Sequence, residues 1–91
     1  MNKQECKKYI KQAYINLVKQ NKSLNLDNIE FEMKKVFKMQ MLEYIAYSKI
    51  SMHNIKKSGN LEIKLEDILA QIDILPAIYS KDEAIKVANK L

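Results

Sequence analysis

One glycine and one proline in ninety-one residues leave this chain few places to turn tightly. Sandwiches and barrels need turn residues about every 8–12 positions. Their scarcity therefore argues against an all-β fold and for long helices. A chain of this length has room for one core. The expected architecture is all-α: residues 1–91 form a single domain, a compact four- or five-helix bundle. A small β-hairpin competes with a helix ending at one place only, residues 51–65.

Apolar periodicity locates the helices. Cys6, Ile10, Ala13, Tyr14, Leu17 and Val18 recur at spacings of three and four, which predicts a first helix from about Lys3 to Asn21. After "SLNLDN", Asp27 with Glu30 three residues on has the form of a capping box. From Asn28 to Lys57 there is neither Gly nor Pro. One helix over that span would be about 45 Å long, too long for a compact domain, so a break is expected near Lys38–Gln40 or Ser48–Ser51. Ile29, Phe31 and Met33 alternate with Glu30 and Glu32, a strand-like pattern that competes locally with the longer helical stripe. Leu65, Ile68, Leu69, Ile72 and Leu75 mark a helix that Pro76 should end or kink. Ser80 and Glu83 form an S-x-x-E capping box before a short last helix. The expected core is Ile10, Tyr14, Leu17, Ile29, Val36, Phe37, Ile45, Leu69 and Ile72.

The single glycine sits in "IKKSGNLEIKL". Lys56 and Lys57 in a last helical turn would complement the helix dipole, and Gly59 suits a left-handed position just beyond. Alternatively Leu61, Ile63 and Leu65 alternate as a strand, and a hairpin here would resemble the wing of a winged-helix DNA-binding domain. The segment before Gly59 alternates poorly, which favours the helix ending.

All sixteen basic residues are lysines, and the formal net charge is +5. Abundant Lys, Asn and Ile without Arg is also what an AT-rich coding sequence yields. The charge is uneven. Residues 1–26 hold six Lys and one Glu, whereas residues 61–91 hold four Lys and six acids. The front of the chain is basic and its back acidic. Lys7, Lys8, Lys11, Lys19 and Lys22 fall mostly outside the apolar stripe of the first helix. A lysine face of this kind can follow phosphates, although without arginine it positions rather than reads sequence.

Several chemistries have no residues to carry them. His53 is the lone histidine and Cys6 the lone cysteine, so neither a His pair for a metal nor a disulfide can be assembled. One glycine supports no glycine-rich phosphate loop. The expectation is a non-enzymatic protein without cofactor or metal. There is no run of 18 apolar residues and no leader-like stretch in "MNKQECKKYIKQ", so a cytoplasmic protein that does not enter a membrane is expected.

Two function classes remain. The first is a nucleic-acid-associated protein, a DNA-binding or nucleoprotein component, that uses Lys7, Lys8, Lys11, Lys19, Lys56 and Lys57. The second is a helical protein–protein interaction module, such as an inhibitor, an immunity protein or a small subunit of a larger assembly. Met39, Leu42, Tyr47 and Ile50, apolar on more than one side of the central segment, are its candidate partner interface and would make the chain a homodimer or a complex subunit.

Overall fold

Polar side chains between the apolar stripes set where the helices begin, because each start leaves backbone N–H groups unpaired. A computed structural model describes residues 2–36, 42–59 and 62–91. Helix α1 spans Lys3–Lys19, and Asn2 Oδ1 caps it by accepting from the Glu5 N–H at 3.0 Å. Helix α2, Leu26–Phe31, is capped by Asn25, whose Oδ1 accepts from the Asn28 N–H at 2.8 Å. The expected cap, Asp27, lies instead in the first turn of α2. Starting the helix earlier brings Leu26 against the core, beside Leu24. Helices α3 (Leu42–Lys57), α4 (Leu65–Ile78) and α5 (Lys81–Asn89) follow. The reciprocal capping box of α5 forms as the sequence predicts: Glu83 N–H donates to Ser80 Oγ at 3.3 Å, and Ser80 N–H donates to Glu83 Oε1 at 3.2 Å.

The long glycine-free segment is interrupted at a place the sequence did not mark. Directly after α2, Glu32–Val36 form a π-helical turn. The wider turn admits an extra residue per revolution, and both Glu32 and Met33 point inward. Ser48–Ser51, one expected break, lies in the middle of α3. The other, Lys38–Gln40, is outside the described residues. The strand-like alternation around Phe31 is helical.

The hairpin expected as an alternative at residues 51–65 does not form. Helix α3 continues through Ser51–Lys57, and no strand occurs among the described residues. Ser51, Met52 and Ile55 are all buried. That spacing suits a helix face and cannot be met by a two-residue strand repeat. The helix then ends at Gly59, with φ of 92° and its N–H on Lys56 O at 3.1 Å. Asn60 and Leu61 are outside the described residues.

Helix α3 is the centre of the molecule, packed by α2, α4 and α5, while α1 lies against α4, α2 and the π turn. One cluster of buried side chains joins all these elements. Ile10, Leu17, Ile29, Ile45 and Ile72 are buried in it as expected, and Tyr14 and Leu69 flank it half-buried. The side chain of Val36 and the whole of Phe37 are not among the described parts. Ser48 and Ser51 allow close packing at the centre, and each hydroxyl donates to the carbonyl one turn back, Tyr44 O and Tyr47 O, at 2.7 Å. Helix α4 runs past Pro76 to Ile78. Proline has no N–H to reach back to the carbonyl of Ile72, so the helix passes it at the loss of one internal bond. The radius of gyration, 11.8 Å, is close to the roughly 12 Å expected of a compact chain this long.

Candidate nucleic-acid interface

The packing of α1 on α4 brings the basic front against the acidic back. Lys7 Nζ lies 2.8 Å from Asp73 Oδ1, and Lys3 Nζ donates to Asp73 O at 3.2 Å. The Lys7 hydrogen bond, joined by the charges of Lys7 and Lys3, holds the Asp73 carboxyl below its ordinary range. Lys7 is therefore occupied within the molecule. Lys8 and Lys11 are exposed and line an open groove of about 520 Å³ between α1 and α4, with Gln4, Gln12 and Leu69. Lys19 is exposed in the last turn of α1, and Lys56 and Lys57 are exposed in the last turn of α3. Lys56 lines a second open groove, of about 580 Å³, together with Lys22. The six lysines singled out by sequence are thus divided between surfaces: Lys8 and Lys11 line one groove and Lys56 another.

A tighter cationic cluster forms around Phe31. Phe31 ends α2 on the side opposite Ile29 and Met33, and the residue is 51% exposed. Lys35, carried outward by the π turn, places Nζ 4.9 Å from the ring centroid. Lys22 places Nζ 5.7 Å from it. Lys22 reaches the ring because the chain reverses at Asn21, whose φ is 55°, and the Lys22 N–H then closes onto Leu17 O at 3.0 Å. Gln20 Nε2 donates to the buried Glu32 at 3.3 Å and ties the end of α1 to the π turn. Two separate elements therefore fix the two ammonium groups over one aromatic ring.

Neighbouring lysines are treated differently. Glu30 pairs with Lys49 at 3.3 Å and with Lys34 at 3.6 Å. Among the described residues no carboxylate pairs with Lys22 or Lys35. The surface at Phe31 is thus aromatic and positively charged at once. From sequence Lys22 belongs to the lysine face of the first helix, but Phe31 and Lys35 were not read as part of a site. A signal was present: Phe31 stands opposite the Ile29–Met33 stripe, where a helix otherwise carries polar residues, and a Lys pair follows it.

The residues expected to form a partner interface are placed otherwise. Tyr47 and Ile50 are each only 2% exposed. They belong to the core because α3 is covered on several sides, which is also why it is apolar on more than one side. The Tyr47 hydroxyl donates to Tyr79 O at 2.8 Å and anchors the link between α4 and α5. Leu42 is exposed at the start of α3, and Met39 is outside the described residues. Cys6 is enclosed; burial first, then the charges of Glu43 and Glu5, push its thiol up to about 12. Among the described residues no group of His, Cys, Asp and Glu could hold a metal ion, and no helix is long and apolar enough to cross a membrane. No family model, curated protein or solved structure matches this chain.

Proposed function

We propose that this is a non-enzymatic nucleic-acid-binding protein whose contact surface centres on Phe31, Lys22 and Lys35, and whose preferred form of nucleic acid is single-stranded. One observation carries the reading: a half-exposed phenylalanine ring approached by two lysines that no described carboxylate neutralises. Single-strand binders combine positive charge that follows the backbone with aromatic side chains on which bases stack. A base that stacks on Phe31 displaces an ammonium group from the ring, and that ammonium moves to a flanking phosphate. Lys56 shares a groove with Lys22, with Glu62 also on its wall, and adds positive charge beside this site. With no arginine in the chain, recognition is by charge and stacking, and binding is tolerant of sequence.

Fluorescence anisotropy with labelled single-stranded and duplex oligonucleotides over a range of salt tests the reading. Single strands should bind more tightly, and log affinity should fall with log salt by roughly 0.7 for each phosphate contacted. If micromolar protein at low salt binds neither form of DNA nor RNA, the reading fails. The basic surface is then a docking face for an acidic protein, and the interaction-module class takes first place.

A further inference from the structure

The start of α2, the second half of α3 and the segment ahead of α4 surround a recessed cavity of about 160 Å³. Its inner wall is apolar: Met52 and Ile63 are buried and Leu26 is half-buried. The exposed His53 and Lys56 stand at its mouth, one turn of α3 apart, with the half-buried Asn25 opposite on the chain before α2. These three polar side chains offer donors. Lys56 carries only N–H groups, His53 supplies an imidazole N–H, and Asn25 Oδ1 already accepts from the Asn28 N–H at 2.8 Å, which leaves its Nδ2. Among the described residues those donors meet no acceptor and no carboxylate. Asp27 and Glu62, next in sequence to Leu26 and Ile63, line two separate open grooves that Lys56 also borders, and not the cavity.

We propose that this cavity binds a small aromatic carboxylate, its ring against Met52, Leu26 and Ile63 and its carboxylate on Lys56, with His53 and Asn25 as further donors. Volume sets the ring. An apolar cavity of about 150 Å³ takes one benzene ring, so a single ring fits and a fused pair does not. The Met52 thioether adds a favourable contact with an aromatic face or edge. The donor set selects the charged group. Donors without acceptors favour a ligand that only accepts, and an ionised carboxylate is such a group. One ammonium balances one negative charge, which favours a carboxylate over a phosphate dianion. Phe31 has no part in the cavity wall, so the site stands independently of nucleic-acid binding.

An NMR titration of the wild-type chain with benzoate tests the assignment. Millimolar benzoate should shift the methyl resonances of Leu26, Met52 and Ile63 together, along one saturable curve. Benzamide, the same ring without the charge, should bind roughly tenfold more weakly, as expected for the loss of one charge-assisted hydrogen bond. Acetate, the charge without the ring, should leave those methyls in place. Lys56→Met keeps the apolar stem of an exposed residue and should bring benzoate down to the affinity of benzamide, with the helical circular dichroism unchanged. Lys8→Met, in the groove between α1 and α4, should leave benzoate binding as in wild type. The proposal is overturned if those methyls do not move with benzoate, if benzamide or phenyl phosphate binds as tightly, or if Lys56→Met binds benzoate like wild type.

Discussion

Cys6 shows how completely one residue's chemistry can be decided by its neighbours. Its ordinary value of 9.0 rises to about 12, with burial the largest cause. Below 9.0 the folded and unfolded chains both keep the proton, so the thiol adds no pH dependence. Above it only the unfolded chain releases the proton, so the stability associated with Cys6 declines as pH rises toward about 12. A disulfide reagent near neutral pH should therefore label native protein far more slowly than protein in urea, at a rate set by opening of the fold. Labelling of native protein as fast as of unfolded protein would place the thiol outside the core. Ser80 makes a second prediction at this scale. Its hydroxyl caps α5, and hydrogen bonds from Ser80 hold the Glu83 carboxyl below its ordinary value. Ser80→Ala should lower stability by about 1 kcal/mol in urea unfolding.

Helices, caps and their stripes were the readable part of this chain. The stripe of α1, the capping box of α5 and the helix ending at Gly59 follow from local sequence, because spacing, capping and backbone conformation are local matters. The π turn at Glu32–Val36 was not readable. It has no residue signature of its own and arises where α2 must turn two successive side chains inward. Phe31 and Lys35, four residues apart, are neighbours on any helical turn, whereas Lys22 joins them only through the reversal at Asn21, which local spacing does not show. Tyr47 and Ile50 were misplaced for a related reason. A helix apolar on more than one side can be central in a monomer or half-covered in an oligomer, and periodicity alone does not separate the two cases. Two substitutions separate kinds of cost at this scale. Gly59→Ala meets no atom within 4 Å, so its cost comes from the positive φ alone, about 1–2 kcal/mol. Ile72→Ala empties a fully enclosed position between α4 and its neighbours and should cost about 2–5 kcal/mol. Urea unfolding of the two variants that gave equal and negligible losses would contradict both assignments. The Asp73–Lys7 contact joins α1 to α4. Because the Asp73 carboxyl is held below its ordinary 3.8, its contribution is present above 3.8 and is lost as pH falls through the depressed value. Lys7→Gln should reduce that acid sensitivity, modestly because the pair is exposed to solvent.

At the scale of the whole molecule the charge divides into an internal part and an available part. The contrast between a basic first third and an acidic last third is partly spent where α1 meets α4, and Glu30 neutralises Lys34 and Lys49. What remains available includes Lys22 and Lys35 at Phe31, with Lys8 and Lys11 in a separate groove. Net charge alone would give only nonspecific attraction. The exposed ring adds a contact that salt does not screen, and this difference makes the account testable. The direct measurement is the affinity of a single-stranded oligonucleotide for wild type, Phe31→Leu, and Lys22→Gln with Lys35→Gln, each followed through a salt titration. Phe31→Leu should lose about 1–3 kcal/mol of binding, roughly five- to 150-fold, with the salt slope unchanged. The double lysine variant should flatten the slope by roughly 1.4, two contacts at about 0.7 each. If Phe31→Leu binds as tightly as wild type with the same salt dependence, the ring takes no part and the site assigned here is contradicted.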